Sequence, residues 1–186
     1  MTWWYIVSRL LATVALAGQT ACPESPGAPP SEYQVKAAFL YNFAKFVEWP
    51  QTAEDQNGPL AICVLGKDPF GGALERVIEG KTVNGRSITI RHLNEAGRAQ
   101  ACHILFISAS EAGHFNEVLR SILERNVLTV SEIDGFCERG GVIAFVMDGR
   151  RVRFRINPKA AAGANLNISS KLLQLALPMP EDKDGH

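Results

Sequence analysis

Four cysteines and four histidines are the side chains in this sequence best equipped for covalent or metal chemistry, so their spacing decides which reactions are open to it. His92, His103 and His114 show no short ligand spacing, and no metal site is expected. The cysteines form no C-x-x-C pair, which removes the common dithiol motif. Cys137, in DGFCERGG, is left as a candidate redox thiol. No serine lies in a nucleophile elbow with an assignable His/Asp partner. The stretch Gly66 to Gly72 follows an apolar run and carries glycines, yet it matches neither a Walker loop nor a dinucleotide fingerprint. Pro69 would also remove a donor from any phosphate cradle. Lacking a nucleophile, base, metal or cofactor signature, the chain reads as a non-enzyme.

Cys63 sits inside LAICVLG and Cys102 opens CHILFIS, two runs that look like buried strands. Neighbouring strands would bring the sulfurs together as a bridge, while two free buried thiols would also pack well. An oxidising compartment favours the bridge. Arg151, Arg153 and Arg155 share one strand face, opposite Val152, Phe154 and Ile156. That stripe reads as a solvated face guarding a sheet edge ahead of an anion-binding patch.

The elements that would position these residues are legible. Ser31 with Gln34 resembles a capping box, followed by Val35, Ala38, Phe39, Asn42, Phe43 and Phe46 at helical spacing up to Trp49-Pro50. LAICVLG, SITIRHL, HILFIS and VLTVSE read as strands, with HILFIS central because it is almost wholly apolar. Short helices are predicted over 70–78 and over 111–124, the second capped by Ser110. Val142 to Met147 and Arg151 to Ile156 predict a β-hairpin turning at Asp148-Gly149. An Asn-Pro turn, an Ala/Gly/Asn linker and a helix capped by Ser169 or Ser170 close the chain. The alternation implies an α/β fold: a single-domain, open, mostly parallel twisted sheet with helices on both faces and a C-terminal hairpin. Ligands of such sheets sit beyond the carboxyl ends of the strands, which makes Lys67, Asp68, Ser108 and Ser131 the candidate ligand loops. Their competing reading is ordinary turns with capping serines.

Met1 to Ala17 carries one positive residue, Arg9, before the apolar run LLATVALA and the small-x-small site Ala15-Leu16-Ala17. The run is too short to span a bilayer and predicts a secretory signal peptide over residues 1–17. Cys22 after Gln19-Thr20-Ala21 is a poor lipobox, so a lipoprotein is the minor alternative. A periplasmic location follows. Residues 18–30 are then a flexible proline-rich tail, 31–178 the α/β domain and 179–186 a polar tail. Hydrophobic content of 46% against 20% charged marks a globular chain. Nineteen basic residues balance nineteen acidic ones, which argues against nucleic-acid binding.

KAAFLYNFAKFVEWP, ICVLGKDPFG, CHILFIS, IAFVMDGRRVRFRIN and AGANLNISSKLLQLA, in that order, resemble the YfiR family of periplasmic proteins from Tyr33 to Ala176. The resemblance implies a disulfide between Cys63 and Cys102. It also pairs the position of Cys137 with a cysteine in the hairpin's first strand, where this chain has Val142, Ile143 and Ala144. It implies a repressor that binds the periplasmic region of an inner-membrane diguanylate cyclase and lowers cyclic di-GMP output. A sensor kinase is the other membrane partner it allows, and an outer-membrane lipoprotein can sequester such repressors. Homodimer formation is compatible with it. The candidate partner surface is placed at the ends of the first helix and the hairpin, at Tyr41, Trp49 and Phe154. A periplasmic small-molecule sensor or solute-binding protein is the alternative reading, and an envelope thiol enzyme or hydrolase a weaker one.

Overall fold

The computed structural model describes residues 29–50, 58–123 and 125–180. The expected signal peptide, most of the proline-rich tail including Cys22, and residues 181–186 of the polar tail lie outside the described residues. Ser31 opens α1 (Glu32–Phe46) with the expected capping box. Its Oγ accepts from the Gln34 N–H at 3.3 Å, and the Gln34 side chain accepts from the Ser31 N–H at 2.7 Å. The buried stripe is offset from the expected one. Lys36, Ala37, Leu40, Phe43 and Ala44 are buried, whereas Val35, Phe39 and Phe46 are only half-buried. The helix stops where Val47 turns extended, and β1 (Val47–Glu48) pairs antiparallel with β9 (Asn167–Ile168). Nothing in the sequence reading anticipated that two-residue ladder.

The main sheet has seven strands. Its parallel centre is β4 (Arg86–Leu93), β2 (Leu60–Leu65), β5 (Ile104–Ile107), β6 (Leu128–Ser131) and β7 (Ile143–Asp148), in that spatial order. Antiparallel strands close both edges, β3 (Thr82–Val83) beside β4 and β8 (Arg151–Ile156) beside β7. β5 is the middle strand of the seven, as its unbroken apolar run predicts. The expectation of antiparallel pairing at one side only needs correcting. Asn84 (φ 51°) and Gly85 (φ 80°) form a two-residue turn with both residues left-handed, the type I′ geometry that an Asn-Gly pair favours. At the other edge Asp148 faces Arg151, so the loop residues are Gly149 and Arg150, one position later than predicted. Gly149 supplies the positive φ of 59°.

Short helices complete the two layers. α2 (Ala73–Ile78) packs on α1, and α3 (Phe115–Ser121) lies on the opposite face of the sheet. α3 is shorter than predicted and is not capped by Ser110. Ser108 accepts from Ser110 N–H to cap a separate 3-10 turn over Ala109–Glu111, and Gly113 follows before the helix begins. The expected Asn-Pro turn and linker instead form α4 (Pro158–Gly163). Asn157 Oδ1 accepts from the Ala160 N–H at 3.0 Å and proline takes the first helical position. Ser169 caps α5 (Ser170–Leu175).

Strand alternation splits the core in two. Ile62, Val64, Phe106, Val130 and Phe145 face α1 and α2, while Cys63, Leu65, Leu105 and Ile107 face α3 and Phe136.

Candidate functional site

The strand order switches direction at β2, between β4 and β5, which is where open α/β sheets hold ligands. The loops at that end are occupied with one another. The Lys67 N–H donates to Ser110 Oγ at 3.0 Å, and Asp68 Oδ1 accepts from the Phe70 N–H at 2.8 Å. Ser131, fully buried, donates to Ile107 O at 2.7 Å and accepts from the Ile133 N–H at 3.1 Å. A methyl group placed on Gly66 would meet Ser110 Oγ at 2.4 Å, so the two loops are in contact. The hydrogen bonds of Lys67, Asp68, Ser108 and Ser131 thus serve the turns, the competing reading of the sequence.

The amino end of α1 covers the same edge. The Tyr33 ring meets Phe70 edge-on at 5.8 Å, and Phe70 meets Phe106 at 4.9 Å. Lys36, 3% exposed, ion-pairs with Glu32 on its own helix and with Glu132 just beyond β6. Tyr33 Oη donates to the same Glu132 at 3.2 Å. Burial alone would pull the Lys36 ammonium down, but its hydrogen bonds to Glu132 and Glu32 outweigh that and hold its pKa above the ordinary lysine value. Burial first, then the Glu132 charge, raises Tyr33 as well. The cluster fastens α1 to the sheet.

Cys63 and Cys102 are bonded, with Cα atoms 5.9 Å apart. Cys137 is buried beside the hairpin, its Sγ 3.7 Å from Val142 O and 3.8 Å from Arg155 O. Burial pushes the thiol up to about 12, with the Glu138 charge adding to it. Cys137, the candidate redox thiol, is thus a buried thiol held protonated, a setting that lowers the nucleophilicity of a cysteine.

The expected partner residues scatter. Phe154 is 2% exposed beneath Phe39 and Phe43, at ring distances of 5.3 and 5.2 Å, so it is core and not surface. Trp49 is half-buried, its Nε1–H donating to His103 O at 3.2 Å, at the end of the sheet opposite the Lys36 cluster. Tyr41 lies between the ammonium groups of Lys45 and Lys81, 5.5 and 4.8 Å from its ring. The structure does not bring these three together.

What it does form between α1 and the hairpin is a groove of about 830 Å³. Glu32, Val35 and Phe39 line it from the helix, Met147 and Val152 from the paired strands, and Arg150, Arg151 and Arg153 from the hairpin. Phe39 rests against the rings of Phe43, Phe145 and Phe154, which fixes the wall. Met147 is 49% exposed although its cross-strand partner Val152 is buried. Sequence reasoning placed Val35 and Phe39 in the core stripe and missed them as lining. Their spacing at one helix face shared with Glu32 was the available signal.

Among the described residues no helix is long and apolar enough to cross a membrane, and no three His, Cys, Asp or Glu residues are grouped to hold a metal. Residues 33–177 match the family described as YfiR/HmsC-like. A crystal structure of a conserved domain protein from Vibrio cholerae O1 biovar El Tor is similar, with a TM-score of 0.54 at 10% sequence identity. The match covers 78% of this chain and 59% of that one, and it speaks to fold alone. An ABC domain in complex with L-Trp from Streptococcus pneumoniae matches with a TM-score of 0.46 at 13% identity, over 63% of this chain and 54% of that one.

Proposed function

Because this chain belongs to the YfiR/HmsC-like family, we propose that it is a periplasmic regulator that docks on a membrane signalling protein, a diguanylate cyclase, and represses cyclic di-GMP synthesis. The observation that carries this reading is the groove between α1 and the hairpin. It offers the exposed Met147 beside the half-buried Val35 and Phe39, flanked by three arginines, on a wall backed by the aromatic core beneath it. Apolar anchors with an arginine rim are what protein interfaces concentrate. The matching partner surface is an apolar segment with acidic flanks.

A repressor shifts its target only by binding the inactive conformation more tightly than the active one. A hundredfold preference is worth about 2.7 kcal/mol, which a few buried apolar contacts and one paired arginine supply. No covalent step is required.

The test is a titration of the exported form of this protein into the periplasmic region of its cyclase, followed by calorimetry. Val35→Asp and Arg153→Glu should each weaken binding at least tenfold while the melting temperature moves little. Trp49→Phe, at the other end of α1, should leave affinity unchanged. Full-strength binding by the Val35→Asp/Arg153→Glu double variant would remove this groove as the docking surface.

A further inference from the structure

We propose that a second groove, between α3 and α4, binds a small amphipathic organic anion, a monocarboxylate or phosphate monoester with an apolar body. The cavity is about 640 Å³, within the range of roughly 300–1,000 Å³ that small-molecule sites occupy. It lies beside the amino ends of β6 and β7, away from Glu132 and the Lys36 cluster. Its apolar lining comes from Leu119, Ile122, Val127, Val142 and Ala160.

Leu123 stands on its rim and is 72% exposed, the most exposed large apolar side chain among the described residues. A leucine in water beside a concave apolar wall is half of a contact. Three cations complete the rim: Arg120 from α3, Arg125 from the turn after it, and Lys159 from α4. Among the described residues none of the three has an ion pair or side-chain hydrogen bond, and none that lines the cavity is acidic. The fourth cation nearby, Arg139, is already committed. It lies 4.2 Å over the Phe115 ring and donates to the carbonyls of Gly135 and Asp134.

Charges of one sign around one mouth repel one another, and an anion placed among them relieves that repulsion. The floor adds one polar group. Thr129 is 4% exposed, and its Oγ1 accepts from the Val142 N–H at 3.0 Å. Its own proton has no acceptor among the described residues, so it is left to donate to an oxygen of the ligand. Apolar walls, one inward donor and a cationic mouth are the lining of a site for a small anion. The cations reach one cavity from two helices and a turn instead of from one helix face, which suits a small molecule better than an acidic helix or a membrane. This site does not depend on the regulatory reading.

The experiment uses the intact exported protein and decanoate below its micellar concentration, with decanamide as the uncharged counterpart, measured by equilibrium dialysis and thermal shift. Decanoate should bind with one-to-one stoichiometry, at least tenfold more tightly than decanamide, and weaken as salt rises. The Arg120→Gln/Arg125→Gln/Lys159→Gln variant, altered only at exposed positions, should keep the wild-type melting temperature and bind decanoate at least tenfold more weakly. Leu123→Ser should weaken decanoate and decanamide alike. Equal affinity for the two probes, or undiminished decanoate binding by the triple variant, would overturn the proposal. So would failure of both decanoate and decyl phosphate to bind while an acidic peptide or anionic vesicle is held through the same cations.

Discussion

On one face of the sheet the fifteen-residue α1 lays Ala37, Leu40, Phe43 and Ala44 over the strands, with the rings of Phe145 and Phe154 beneath. On the other, the seven-residue α3 and a series of turns cover Cys63, Leu105 and Phe136. The long helix is held by aromatic packing and by one buried ion cluster. A two-turn helix contributes little cooperativity of its own, and it is on this thinner face that the disulfide stands. The fold therefore substitutes a covalent staple where packing is sparse.

Removing the staple should have the largest effect. For a sequence separation of 39 residues the chain-entropy estimate is about 4 kcal/mol, so Cys63→Ala/Cys102→Ala should lose roughly that much in urea denaturation. A loss below about 1 kcal/mol would mean the thin face packs well enough unaided. Next comes the ion cluster on the other face. Lys36→Ala leaves Glu132 facing an apolar seat without its cation and should cost about 3 kcal/mol. Lys36→Met with Glu132→Gln should recover most of that loss; if it recovers none, packing and not charge is what Lys36 provides.

A smaller effect separates the faces by pH. Folding raises the pKa of Cys137 to about 12, so the native state keeps a proton that the unfolded chain gives up from about pH 8.5. Stability from this group is complete below that pH and declines as pH rises toward 12, by at most about 1.4 kcal/mol per unit. Cys137→Ala should flatten the decline between pH 9 and 10. Lys36 and Tyr33 are also raised and lose their contributions in the same direction, but only above about pH 10. Thiol titration checks the same point. With Cys22→Ser in place, no thiol should react at pH 8 until the protein is unfolded, and one should react then. The smallest change is expected at the groove: Met147→Ser should shift stability by no more than about 0.5 kcal/mol. Under the proposed docking role its effect belongs to partner binding, measured by the same calorimetry.

Local signals carried most of the architecture. The Ser31/Gln34 box, the apolar run of β5 and the cap at Ser169 each rest on a few adjacent residues and were readable. Asn84-Gly85 was equally local and went unread because only two residues of strand precede it. What stayed hidden was partnership at a distance. Lys36 looks like a polar residue beside an apolar stripe, and the Glu132 that draws it inward is 96 positions away. Phe39 and Phe154 are indistinguishable as aromatics, and only the packing of α1 on the hairpin makes one line a groove and the other lie sealed beneath it. The cations of the second groove come from two helices and a turn, so no single stretch of sequence displays them together.

The small ladder between β1 and β9 sets the order in which the molecule can be completed. The Asn167 amide donates to Glu48 at 2.9 Å across 119 positions, and Ser169 N–H donates to Phe46 O at the helix end. During synthesis α1 emerges among the earliest of these elements, while the strand that fastens its far end emerges among the last. Until then only the carboxyl end of α1 lacks its fastening, since the Lys36–Glu132 pair and the Phe145 and Phe154 rings precede Asn167, and contacts of such long sequence separation form slowly. A truncation before Asn167 should therefore release the carboxyl end of α1 first, where Val47 and Glu48 lose their paired strand.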